Sequence, residues 1–429
     1  MRNGLGALAA LLLSTVCAMP AAAETVVVTA ARMFDAKAGR IVDEPVVVIT
    51  DGRIQSVVTR GAARPVIPAD ARRVDLGDMT ILPGLIDMHV HLDSNPIYGG
   101  YTGLQFTDSF WAMQGTANAK AMLEAGFTTV RNVGSSNYND VGMKQAIDEG
   151  LIAGPRIVPA AHALGATGGH CDETYLPPSF HAKGEAVGDS IDELRQRVRE
   201  QRKYGAEVIK VCATGGVFSR NTEPGQQQLT EAELKGIADE AHMWGLKVAA
   251  HAHGAAGIKA AIRAGIDTIE HASLIDDEGI KLARDHGAYL SMDIFNTEYT
   301  QAEGARNGVM EDNLRKDREV ADIQRNNFRK AHAAGVKLVF GTDAGVMPHA
   351  TAGGQFAIMV RYGMTPAEAI QAATVNAAAA LGRDATVGSI AAGRYGDIIA
   401  VAGDPTRDVR LLETIPFVMK GGDVVKAAN

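Results

Sequence analysis

Hydrophobic positions along this chain change period twice. Between residues 80 and 342, eight short apolar runs alternate with amphipathic stretches of helical period. The runs fall at 80–90, 127–133, 156–162, 207–213, 246–252, 266–271, 287–294 and 336–342. In IDELRQRVREQRKYG, Ile191, Leu194 and Val198 share one helical face. Thr230 with Glu233 forms a capping box at the head of TEAELKGIADEAHMWG. Eight strand–helix units predict an α/β protein, a (β/α)8 TIM barrel of parallel strands. A doubly wound sheet is the second choice, and it leaves unexplained the polar residues that end so many of the runs.

The two ends have a different texture. TVVVTAARMFDA, PVVVITDGRIQSVV and ARRVDLGDMTIL are short β-rich runs broken by Asp-Gly and Gly-Asp turns. GSIAAGRYGDIIAVAGDP and PFVMKGGDVVKA return to that texture at the C-terminus. Both termini are therefore expected to combine into one small β-sandwich. The expected organisation is a signal peptide over 1–23, sandwich parts over 24–80 and 383–429, and a barrel domain over 81–382.

The signal-peptide expectation rests on Arg2, an apolar run from Leu5 to Val16, and the small residues Ala21, Ala22 and Ala23. The run is short for a membrane span. An exported, periplasmic or secreted enzyme follows, without a membrane span. Loss of Arg2 leaves 41 basic against 50 acidic residues. Such mild acidity offers no basic face for nucleic acid. Of the three cysteines, Cys171 and Cys212 lie beyond the leader. Two cysteines do not make a disulfide scaffold, and the expectation is a pair of buried free thiols, although both lie near one end of the barrel and pairing stays open.

The ends of the runs carry the chemistry. His89 and His91 in LIDMHVHL are two apart, so both point to one face of a strand. Lys210 sits inside the apolar EVIKVCATGG, where an unpaired ammonium is costly to bury and a depressed pKa is the usual escape. His251 and His253 alternate to one face in VAAHAHG, His271 closes TIEHAS, and Asp343 ends VFGTDAG. Imidazole and carboxylate donors gathered from several strand ends suit zinc. Loops after strands are expected to contact substrate. Candidates there are Ser94, His170 in the glycine-rich GATGGHCDE, Arg220 as a carboxylate clamp, and His349.

The order His-x-His, Lys, His, His, Asp, with LPGLIDMHVH, GATGGH, IKVCATGGVFS, AHAHG and GMTPAEAIQAATVNAAAALG, resembles the amidohydrolase superfamily over nearly the whole chain. The nearest likeness is to its binuclear branch with a carboxylated lysine, among imidazolonepropionase-related and prolidase-like exported dipeptidases and ochratoxin-degrading amidohydrolases. The resemblance implies two zinc ions held by His89, His91, Lys210 as N6-carboxylysine, His251, His271 and Asp343. It implies attack by a metal-bridged hydroxide on the amide of an N-acyl amino acid or dipeptide. Asp343 would shuttle the proton and His170 would assist, with His253, Arg220 and Ser94 contacting substrate. A homo-oligomer is implied too. A hydrolase of cyclic amides or lactones on the same scaffold is the rival enzyme. A catalytically dead periplasmic binding protein is the rival of another class.

Overall fold

The computed structural model describes residues 24–63 and 65–427, so the expected leader lies outside the described residues. Each of the eight apolar runs coincides with a parallel strand, the fifth and sixth extending two and three residues further: β1 (Leu85–Val90), β2 (Phe127–Asn132), β3 (Arg156–Pro159), β4 (Val208–Cys212), β5 (Lys247–Gly254), β6 (Thr268–Leu274), β7 (Tyr289–Ser291) and β8 (Lys337–Val339). They hydrogen-bond in chain order as a sheet of three, β1 to β3, and a sheet of five, β4 to β8. Every residue of β1, β2 and β4 is buried. That continuous burial belongs to parallel strands covered on both faces.

Backbone bonds join the free edges of the two sheets. Beyond β3, Leu164 N donates to Lys210 O at 2.8 Å and Cys212 N donates to Leu164 O at 2.8 Å. On the other side, Met88 N donates to Phe340 O at 2.9 Å and His91 N to Ala344 O at 2.7 Å. The helices follow their local signals. Thr230 and Glu233 form the capping box that opens Glu231–Met243. Leu194 and Val198 are buried on Ile191–Tyr204, while Ile191, in its first turn, stays exposed.

The run at 80–90 proves to be two strands. Met79–Pro83 leaves the parallel sheets and pairs antiparallel with Ile398–Ala402 from the far end of the chain. The break falls at Gly84, where any Cβ would overlap the Thr128 side chain. Met79–Pro83 and Ile398–Ala402 lie at the centre of a six-stranded sheet drawn from both termini. A four-stranded sheet from residues 25–75 shares its core, with Val26, Val28, Val47 and Ile49 packed among Ile81, Ile398, Phe417 and Met419.

The free-thiol expectation is overturned. Cys171 and Cys212 are joined by a disulfide, with Cα atoms 5.8 Å apart. The cause is the edge bond at Leu164. It lays the segment after β3 along β4, and the turn closed by Gly169 N on Ala166 O brings Cys171 back beside Gly165, where it meets Cys212.

Arg156, at the start of β3, ties the parallel sheets to the terminal ones. Its Nε and Nη2 donate to both carboxylate oxygens of Asp397, at 3.2 and 3.1 Å, and its guanidinium lies 3.5 Å from the centre of the Tyr395 ring. Asp397 also accepts from Gly421 N at 2.7 Å. Asp397→Ala strips three donors of their acceptor and is expected to cost about 2–3 kcal/mol, read as a lower midpoint in urea unfolding.

Candidate metal centre

The C-terminal ends of the strands surround a cavity of about 630 Å³. His89, His91, Lys210, His251, His271 and Asp343 all line it. All six expected ligands thus converge, although they are spread along the sequence from His89 on the first parallel strand to Asp343 after the last. Potential donor atoms cluster within 4.8 Å of one another in three groups: His89, His91 and Asp343; His251, His253 and His271; and His271, Asp293 and Asp343. Asp343 Oδ1 stands 3.4 Å from His89 Nε2 and 3.5 Å from His91 Nε2. Zinc is suited to this mixed imidazole and carboxylate set.

Partners of the ring nitrogens test the fit. His89 Nδ1 faces Glu270 at 3.0 Å, His91 Nδ1 faces the Gly134 carbonyl at 3.1 Å, and His271 Nδ1 faces Asp293 at 3.0 Å. A carbonyl or a carboxylate can only accept, so each Nδ1 carries a proton, which leaves Nε2 as the nitrogen available to a cation. His89 Nε2 is buried without a hydrogen-bond partner, the state of a donor atom shaped for a cation. Burial lowers His91 to about 4 and holds His251 and His253 well below the ordinary imidazole range, whereas Asp343 and Glu270 outweigh burial at His89 and raise it. Neutral imidazoles are the form that ligates.

Lys210 lies among these groups. Burial lowers its ammonium to about 8, against the opposing pull of Glu270 and Asp343. Burial also pushes the Asp343 carboxyl up, but His89, His91 and His271 outweigh it and hold the group below the usual carboxylate range.

Local backbone geometry aims two of the expected ligands. His271 and Asp343 have left-handed φ angles of 68° and 58°, uncommon for residues with side chains. Between Ala252 and Gly254 the pairing of β5 with β6 slips by a bulge, which re-aims the end of β5 just at His253. Strain of this kind concentrates at functional sites.

The other candidates separate. His170 lines the cavity, its ring stacked 4.1 Å from that of His251 and its Nδ1 2.9 Å from Ser219 Oγ. Burial drives its pKa to about 3. Ser94 lines the cavity too, and His253 sits inside the second donor group. Arg220 does not line it: the side chain is exposed and donates to the Tyr101 hydroxyl at 3.1 Å. His349 is buried against the His91 carbonyl, 3.1 Å from Nε2 to oxygen, and does not line the cavity either.

Sequence reasoning missed the acids behind the histidines. Asp293, in LSMDIF just past β7, follows the same rule of a polar residue ending an apolar run and was there to be read. Glu270 carries no such signal, because it is hidden beside His271. It accepts from Arg131 Nη2 at 2.6 Å and Thr268 Oγ1 at 2.6 Å as well as from His89. Glu270→Gln removes the charge that steadies His89, and metal affinity, measured by competition with a chelator, should fall about 10–100-fold.

A model of the amidohydrolase family matches residues 80–427. Ochratoxinase from Aspergillus niger is 33% identical over 370 residues, which cover 81% of this chain and 75% of that protein. The crystal structure of a Xaa-Pro dipeptidase with methionine bound in its active site is similar, with 33% identity, a TM-score of 0.85, and coverage of 94% of this chain and 99% of that one. A prolidase complexed with N-methylphosphonate-L-proline gives 31% identity and a TM-score of 0.86 over 94% of this chain and 100% of its own. Its α/β structure is that of these enzymes, and the chain belongs to the amidohydrolase family, metal-dependent hydrolases acting on amide bonds.

Proposed function

We propose that this chain is a binuclear zinc amidohydrolase that cleaves N-acyl amino acids or dipeptides, with ochratoxin A within its range. The observation that carries the proposal is the meeting of His89, His91, Lys210, His251, His271 and Asp343 in one cavity. Similarity to an ochratoxinase and to a Xaa-Pro dipeptidase supports an amino-acid amide as the substrate class.

His89, His91 and Asp343 would hold one ion and His251 with His271 the other, with Lys210 shared as a carbamate. Among the described residues the Lys210 amine has no hydrogen bond or ion pair, and, lowered to about 8, it is partly neutral near pH 7 and free to add carbon dioxide. Bound there, two zinc ions would supply an acidified water and a Lewis acid for the substrate carbonyl. Asp343 takes the proton of the attacking water on its carboxylate and passes it to the leaving nitrogen. His170, neutral, would accept at Nδ1 from the Ser219 hydroxyl 2.9 Å away and so offer Nε2–H to the oxygen that gains charge. Ser94 and His253 face the substrate from the same cavity.

The architecture that serves this site is proposed to be a closed eight-stranded barrel over 81–382 with a β-sandwich from 24–80 and 383–429. Edge bonds at Leu164 and Met88 support closure, and the core shared by the two terminal sheets supports the sandwich. The Cys171–Cys212 disulfide supports export to an oxidising compartment after removal of residues 1–23. No described helix is long and apolar enough to cross a membrane. A homo-oligomer completes the proposal, on the family resemblance alone.

Metal analysis of the purified chain, paired with a panel of N-acyl amino acids and dipeptides, tests the proposal. About two zinc ions per chain with amide cleavage is the expected result, and one or none with no cleavage after zinc and bicarbonate overturns it. Lys210→Ala should lose the bridge and activity, with partial return in added short carboxylates. Asp343→Asn should retain part of the metal and lose turnover by about 10³-fold or more, and near-normal turnover would refute the proton shuttle. Gly216 has no room for a Cβ, which would overlap the His170 ring. Gly216→Ala should therefore lower kcat as His170→Ala does, by about 10²-fold, with metal content unchanged.

A further inference from the structure

Beside the cavity that holds the histidines lies a second one of about 220 Å³. Tyr98, Tyr175, Phe218, Tyr299, Val309 and Val346 supply most of its apolar wall. No charged side chain lines it, whereas Asp93, Glu173, Lys183 and Glu185 line the larger cavity. Ser94, Phe218 and Val346 belong to both walls, so a group held in one space can extend into the other.

The wall is held in place by bonds between loops. Gly99 N donates to Asn307 O at 2.9 Å, and Asn307 Nδ2 donates to the Tyr299 hydroxyl at 3.0 Å. The Tyr101 hydroxyl donates to Tyr175 O at 3.0 Å and accepts from Arg220, which is what that exposed arginine does here. Tyr175 Oη lies 3.4 Å from Asn313 Oδ1. The hydroxyls of Tyr175 and Tyr299 are thus engaged, and their rings line a preformed space. Size limits the occupant. An apolar cavity of about 150 Å³ accepts benzene, so this one admits a single aromatic ring with small substituents. A charged group would find no opposite charge in it to pair with.

We propose that this side cavity receives an uncharged aromatic ring of the amide substrate and so sets specificity. The inference rests on the amide-hydrolase reading above and names the substrate class of that same site. The ring has two possible sources, the acyl group or the side chain of the leaving amino acid.

The test uses the zinc-loaded full chain with N-acetyl-L-alanine, N-benzoyl-L-alanine and N-acetyl-L-phenylalanine. One aromatic substrate should exceed N-acetyl-L-alanine in kcat/KM by about tenfold or more, and the better of the two tells which side of the bond the ring occupies. Val309→Trp fills the cavity and should cut that ratio about tenfold, while Val309→Ala enlarges it and should move preference towards a naphthoyl or naphthyl group. An aromatic-to-aliphatic ratio that neither variant moves overturns the inference and leaves the hydrolase standing. If none of the amides is cleaved, the hydrolase proposal fails, and binding of benzamide to the metal-free protein decides the cavity. Ligand-observed NMR should then detect benzamide on the parent chain and not on Val309→Trp; equal binding, or none to either, overturns it.

Discussion

A single buried ion pair holds the centre of this molecule together. Arg131, on β2 and 1% exposed, donates to Met88 O on β1 at 2.6 Å, to Thr268 Oγ1 on β6 at 2.8 Å, and to Glu270 on β6. It therefore links strands from both parallel sheets through the interior. Two ions cannot be buried cheaply unless each finds full hydrogen-bond complements. Here the guanidinium bonds through Nε, Nη1 and Nη2, and the carboxylate accepts from Arg131, Thr268 and His89. Burial alone would raise Glu270, but Arg131 and His89 keep it ionised, below the ordinary range. The orientation of His89, and with it the position of Asp343 at 3.4 Å, depends on this arrangement.

Much of the site was legible because period and chemistry coincide at strand ends. A residue such as His271 or Asp343 stands out when an apolar run stops on it, and parallel strands bring such stops together on one side. What lay behind them was not legible. Glu270 and Arg131 meet across 139 residues of sequence, and no local pattern announces a partner chosen by the far wall of the interior. Position in a loop likewise misled for Arg220: a loop cation near the active-site end suggests a carboxylate clamp, yet its reach is used up by Tyr101.

Strand limits were legible to within a few residues, except where tertiary contact overrides periodicity. The run at 80–90 reads as one strand because its residues are apolar throughout. Its division at Gly84 is set by the Thr128 side chain opposite, and the first half is claimed by a strand more than 300 residues away. The thiols failed for a related reason. Spacing along the chain says nothing of the Leu164 bonds that fold Cys171 back over Cys212.

That disulfide bears on the metals as well as on the loop. Both cysteines line the cavity that holds the histidines. As thiolates they would be the softest donors in it, and soft donors draw zinc and copper(I) away from imidazole and carboxylate. Oxidised to one another, they leave that competition. A folded chain with the bond reduced would carry the same six candidate ligands and two rivals beside them, so the redox state in which a metal is taken up would become part of how one is selected.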